Sequence, residues 1–188
     1  MSSIILLGIK HCGKTTQGKL LSGHFGRPFY DTDDEIAALT GKTPREIYTE
    51  QGSGAFLRAE KEACESLAER LASTAAVIAT GGGICNNPAA LETLHKTGRF
   101  VFLNADEKTA AARIVREIKY DGVGIMKNLP AYIADKNPRN VAEVREIFHN
   151  FYIERQKIYK ELCDVEVRLE HSASKSKNME KILKALAE

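Results

Sequence analysis

No stretch of this 188-residue sequence is apolar for long enough to cross a membrane, and nothing near Met1 has the form of a signal peptide. The early apolar run Ile4-Ile5-Leu6-Leu7 is short and leads straight into a glycine-containing loop. An excess of one charge is also missing: 27 lysines and arginines face 25 aspartates and glutamates, for a formal net charge of +2. That balance gives no bulk field to draw in nucleic acid, although a local basic groove for a small anion fits within it. Cys12, Cys64, Cys85 and Cys163 form no C-x-x-C pair, which argues against a disulfide framework or zinc site and for scattered thiols. No internal repeat or coiled-coil seam is legible. The expectation is a cytoplasmic domain, monomeric by default, with neither a membrane nor a nucleic acid as partner.

What is present suits one α/β domain over residues 1–188, with 43% hydrophobic and 28% charged residues. Strand candidates are Ser3–Leu7, Pro28–Asp31, Ala75–Thr80, Phe100–Asn104 and Val165–Leu169. Helical patterns lie between them, at Lys14–His24, Asp34–Leu39, Pro44–Gln51, Ala55–Ala72, Pro88–Lys96, Glu107–Ile118 and Ala142–Leu162, and Asn178–Ala187 closes the chain. Such alternation predicts a parallel sheet with helices on both faces and ligands at the carboxyl ends of the strands. Lys119 to Asn140 has little periodicity and reads as a long functional loop, a lid first of all. The Ser- and Lys-rich stretch at Lys175–Lys177 reads as a second, shorter surface loop.

The residues after each strand carry the chemistry. Gly8-Ile9-Lys10-His11-Cys12-Gly13-Lys14-Thr15-Thr16 follows the first strand and opens a helix, which is G-x-x-x-x-G-K-[ST] in the context a phosphate loop requires. Backbone N–H groups of the loop and first helical turn, from Gly8 through Cys12 and Gly13 to Thr16, converge on an anionic phosphate at the positive end of the helix dipole. Lys14 supplies a charge for the β- and γ-phosphates, and the Thr15 hydroxyl is placed to ligate Mg²⁺. Cys12, a thiol at a helix N-terminus, is either acidified there or simply a small residue the loop tolerates. After the second strand, Asp31-Thr32-Asp33-Asp34 offers carboxylates that can hold Mg²⁺ through water or accept a proton from a substrate hydroxyl. The competing role is a helix cap made by Thr32 or Asp33. Gly81-Gly82-Gly83 after the third strand lets backbone approach a ligand closely, or is a plain flexible turn.

In order and spacing these motifs resemble the shikimate kinase family. The phosphate loop, D-x-D, an F-R-x-x-E-like stretch at Phe56–Glu60, G-G-G, Glu154-Arg155 followed by Tyr159, and Cys163-Asp164 before the last strand all fall in place, over roughly Ile4 to Glu188. The resemblance implies a three-layer P-loop kinase fold: a central parallel sheet of about five strands flanked by helices, with a lid at about 119–141. It implies phosphoryl transfer from ATP with Mg²⁺ to a hydroxyl of a small hydroxylated acid, shikimate to shikimate 3-phosphate. Lys14 and Thr15 would serve ATP and the metal, with Asp31 in the metal's outer shell and Asp33 as orienting group or base for the acceptor hydroxyl. Gly81, Gly82 and Gly83 would line the acceptor pocket and Arg155 would pair with its carboxylate. Arg113 matches an arginine lying over adenine, or else sits on a solvated helix face.

Three departures accompany the likeness. The family's arginine after Phe56 is Leu57 here, and Arg58, the remaining acceptor-binding candidate, is about 100° further round the helix. The lid has no R-P-L-L; Arg116, Lys119, Lys127 and Arg139 are the nearby cations able to spread transition-state charge. The loop carries Lys10-His11-Cys12 where relatives favour small residues. Two of these departures touch the acceptor half, so the same fold acting on another sugar acid, polyol or nucleotide, or a non-catalytic NTP-binding module, stand as the alternatives.

Overall fold

The computed structural model describes residues 2–170 and 172–187. β1 (Ser3–Leu7) is buried along all five residues, as an unbroken apolar run requires of a central parallel strand. It passes through the phosphate loop into α1 (Lys14–Phe25), then β2 (Phe29–Asp31), α2 (Thr32–Thr40) and the long α3 (Pro44–Arg70). β3 (Val77–Ala79), a 3-10 turn at Ile84–Asn86, α4 (Pro88–His95), β4 (Gly98–Asn104) and α5 (Glu107–Arg116) follow. The expected loop after α5 is a two-stranded antiparallel hairpin, β5 (Lys119–Tyr120) with β6 (Met126–Lys127), and a short helix α6 (Ala131–Ala134). The chain ends in α7 (Val141–Leu162), β7 (Val165–Arg168) and α8 (Lys175–Ala187).

Five strands pair in parallel in the order β2-β3-β1-β4-β7, with Ile5 opposite Ile78 on one side and Phe100 on the other. The chain leaves β1 toward β2 and later returns to β4 on the opposite side. A crevice therefore opens at the carboxyl end of β1, where the phosphate loop lies. The main core packs Ile5, Leu7, Val101 and Phe102 with Leu21, Leu94, Phe148, Tyr159 and Ile182 from the flanking helices. A smaller core, Ile36, Ile47, Ala59 and Ala63, joins α2 to α3 and fixes one wall of the site. Each fully buried aliphatic side chain there contributes about 1.5–3 kcal/mol.

α3 starts with a capping box, Thr43 and Glu46 bonding each other's backbone N–H, and Pro44 at its first position. It is two helical pieces meeting at Gly52, whose φ of +83° and ψ of 174° interrupt the turn, so the separate helices expected at Pro44–Gln51 and Ala55–Ala72 meet with no loop between them. Two other expectations need correction. Lys175–Lys177 is the first turn of α8 rather than a surface loop; Asn178, within that helix, is buried and its amide bonds Glu170 O and N–H, which anchors the start. The cap of α2 is neither Thr32 nor Asp33 but Asp31, whose carboxylate accepts from the Asp33 N–H at 3.2 Å. The four thiols are free, and among the described residues no helix is long and apolar enough to cross a membrane.

Candidate active site

The phosphate loop ends at Gly13, which gives α1 no side-chain cap, and the first turn carries no acid. Its N–H groups are left for an anion. Lys14, 7% exposed, lies back across the loop: its Nζ donates to Gly8 O at 2.7 Å and Ile9 O at 2.9 Å, and lies 3.7 Å from Cys12 Sγ. Cys12 is buried against the loop, which suits the reading of a packed small residue. Thr15 Oγ1 donates to Asp31 Oδ2 at 2.9 Å, tying the loop to the end of β2. Thr32 Oγ1 accepts from Gly81 N at 2.9 Å, tying the end of β2 to the triglycine turn.

A cleft of about 190 Å³ beside the loop is lined by Cys12, Gly13, Thr16, Gln17, Arg113 and Asn178, among others. Arg113 Nη1 donates to the His11 carbonyl, so this arginine is tied to the loop backbone and not merely solvated. Burial lowers the His11 imidazole pKa; Glu117, 3.3 Å away, pulls against that shift, and Lys10, Lys14 and Arg113 add to it.

A larger cavity, about 460 Å³, opens on the other side of Lys10. Its polar lining includes Lys10, Asp33, Arg45, Gly81, Gly82, Gly83 and Arg155, and its apolar lining includes Tyr48, Phe56, Leu57, Leu129, Pro130, Tyr132 and Phe151. A Cβ on Gly82 would stand 2.6 Å from Lys10 N, so only glycine allows the triglycine turn to lie against the loop. Tyr159 OH donates to Gly82 O at 3.0 Å, holding the turn from below. Protein packed around the Asp33 carboxyl raises its pKa, as does the Asp31 charge, while Lys14 and Lys10 oppose the shift.

Arg155 is 5% exposed, with its guanidinium 4.6 Å from the Phe151 ring centre and Nη1 against Cys85 Sγ. Tyr132 stacks on that same Phe151 ring, 3.7 Å centre to centre. Arg155 Nε and the Tyr132 hydroxyl are buried without a hydrogen-bond partner. Arg58, expected at the acceptor, is exposed and does not line this cavity; Leu57 does.

Two residues carry features that the sequence reading gave no role: Glu60, there only the end of the F-R-x-x-E-like stretch, and Arg45. Glu60 is fully buried, its Oε2 accepting from Asn87 Nδ2 at 3.0 Å and its Oε1 unpaired, and burial pushes its carboxyl up to about 7. A carboxylate between Ala59 and Ala63 on the apolar face of a helix was the available signal. Arg45 reaches the cavity from the first turn of α3, where nothing in the pattern separates it from an ordinary surface arginine.

The family model described as shikimate kinase matches residues 10–187. The shikimate kinase of Thiobacillus denitrificans is 34% identical over 165 residues, 88% of this chain and 80% of that protein. This chain belongs to the shikimate kinase family. Solved structures agree in fold. The shikimate kinase from Acinetobacter baumannii, in complex with shikimate, superposes with a TM-score of 0.76 at 26% identity, covering 100% of this chain and 93% of that one. The Aquifex aeolicus shikimate kinase gives 0.70 at 28%, covering 98% and 96%. As a member of the shikimate kinase family this chain is a small-molecule kinase, and its parallel five-stranded sheet is that of a P-loop kinase. Of the expected site residues, Cys12, Gly13, Thr16 and Arg113 line the smaller opening and Asp33, Gly81, Gly82, Gly83 and Arg155 the larger, while Gly8, Lys14, Thr15, Asp31 and Arg58 line neither.

Proposed function

We propose that this chain transfers the γ-phosphoryl group of ATP to the 3-hydroxyl of shikimate, giving shikimate 3-phosphate and ADP. The observation that carries the reading is the single cavity that Asp33, the triglycine backbone and Arg155 share beside the phosphate loop, in a chain matched to the family along nearly its full length.

The loop from Gly8 through Cys12 to Gly13 and the first-turn N–H groups of Lys14 to Thr16 bind the phosphates, and Lys14 exchanges its contacts to Gly8 O and Ile9 O for the β- and γ-phosphate oxygens. Arg113 covers the adenine from α5. The Thr15 hydroxyl and the Asp31 carboxylate, already 2.9 Å apart at the loop, suit Mg²⁺: one neutral oxygen for direct ligation, one anion for its water shell. Bound there, the metal supplies charge neutralisation on the phosphates. Gly81, Gly82 and Gly83 shape the floor under the acceptor, and Arg155 meets its carboxylate. Asp33 orients the 3-hydroxyl and takes its proton as the oxygen attacks phosphorus and ADP departs. The segment at about 119–141 acts as a lid that excludes water. We take the enzyme to be cytoplasmic and monomeric, a step in aromatic amino acid biosynthesis.

The test is ADP release coupled to shikimate in the presence of ATP and Mg²⁺. No turnover above background by folded, ATP-binding protein would overturn the proposal. Leu57 on the cavity wall favours one second reading, a different hydroxylated acid as acceptor, and turnover of such an acid in preference to shikimate distinguishes it.

A further inference from the structure

The acceptor cavity holds a cation that no motif announces. Arg45, in the first turn of α3, lines it, and Arg45 Nη1 donates to Asn128 Oδ1 at 2.7 Å. We infer that Arg45 is the second carboxylate-binding cation of the acceptor site, working with Arg155 in the role that Leu57 cannot fill. This deepens the proposed function and rests on it.

Leu57 presents an apolar side chain to the cavity, and its neighbour Arg58 turns away, with Nη1 3.7 Å from where a Cβ on Gly54 would stand, one turn back along the helix. The family's usual pair of arginines is therefore reduced to Arg155 on that wall. Arg155 is almost wholly enclosed, stacked on Phe151 and engaged with Cys85, so it offers a carboxylate only part of its fork.

The remaining charges on the cavity are Lys10, Asp33 and Arg45. Lys10 belongs to the phosphate loop, and its backbone packs against Gly82. Arg45 stands apart, on the wall built by α3 together with Tyr48, and its side chain is exposed to the opening. A guanidinium has five N–H donors in a rigid fork, and the bond to Asn128 uses one of them. Asn128 is itself held, its Nδ2 donating to Glu117 O at 3.0 Å, so Arg45 is oriented before any acceptor arrives. A preoriented fork with donors to spare, beside a cavity otherwise short of cations, suits bidentate capture of a carboxylate.

The experiment measures kinetics and calorimetric binding for shikimate and for its methyl ester, which lacks the charge. Arg45→Ala should raise the KM and Kd for shikimate about ten- to hundredfold, the loss of one charged hydrogen-bond pair, while the ester's binding stays as it is in the unchanged chain. Arg45→Lys should recover part of the loss, and Leu57→Arg placed on Arg45→Ala should recover more. Arg45→Gln, which keeps a donor to Asn128 without the charge, covers the case in which the alanine variant fails to fold, and should show the same selective loss. An unmoved KM for shikimate, equal losses for acid and ester, or no recovery with Leu57→Arg overturns the inference alone. A chain that folds and binds ATP yet never phosphorylates shikimate takes the proposed function down first.

Discussion

Asp31 serves Thr15 and Asp33 at once: one carboxylate oxygen accepts the Thr15 hydroxyl at 2.9 Å and the other accepts the Asp33 N–H at 3.2 Å. Cap and loop tie are thus combined in one side chain, and a single substitution separates them. Asparagine caps helices as well as aspartate does, so Asp31→Asn should leave the melting temperature within a degree or two, on the order of the change expected from an intact cap. It removes the charge facing the loop, so the Mg²⁺ concentration for half-maximal turnover should rise severalfold. Asp31→Ala should lose both, with about 1 kcal/mol of stability gone. Thermal melts beside a Mg²⁺ titration check it, and an unchanged Mg²⁺ requirement in the asparagine variant would contradict the role given to Asp31.

Lys14 is placed by the loop it will serve, bonded to two of its carbonyls. Lys14→Ala should fold, as judged by circular dichroism, yet lose turnover by at least about a hundredfold, because the γ-phosphate is no longer positioned. Turnover within a fewfold of the unchanged chain would remove the phosphate loop from the mechanism.

Glu60 makes stability depend on pH. Its folded pKa, about 7, lies above the ordinary 4.5, so folding takes up a proton between those values. The stability it contributes is fully present below pH 4.5, declines from there to pH 7 and is gone above it, a total of about 3 kcal/mol. Glu60→Gln abolishes that decline. Urea melts at pH 5 and pH 8 should show the variant gaining on the unchanged chain as pH rises; parallel curves would mean that Glu60 is ionised throughout.

Gly82 and Gly83 look alike in sequence and differ in space. A Cβ at position 82 meets Lys10 N at 2.6 Å, whereas one at 83 meets nothing within 4 Å. Gly82→Ala should cost about 1–3 kcal/mol through displaced backbone, and should weaken shikimate and ATP together, since it pushes the turn off the phosphate loop. Gly83→Ala should melt close to the unchanged chain. Comparable melting temperatures for the two variants would show that the contact to Lys10 yields freely.

The strands, the phosphate loop and the residues after β2 and β3 were legible because each is a local pattern: apolar runs of strand length, glycines at turns, a carboxylate where a strand stops. Glu60 was half legible, an acid on an apolar helical face, and its partner Asn87 sits 27 positions away where no periodicity links them. Arg45 was not legible at all. Its place on the cavity wall comes from tertiary packing, and an arginine after a capping threonine and proline looks the same whether it faces a cavity or water. The tract from Lys119 to Asn140 hid its hairpin because two-residue strands are too short to show alternation. Leu129 and Pro130 are buried there only because tertiary packing closes over them.

The interruption of α3 at Gly52 separates the two stretches of that helix that line the larger cavity. Arg45 and Tyr48 come before it, Phe56 and Leu57 after it. The bend at one residue therefore joins a stretch that carries charge to a stretch that is apolar, as the two arms of a caliper meet at one pivot. Its φ of +83° is one that residues with side chains rarely adopt. A substitution at Gly52 would therefore act on the cavity from outside its lining.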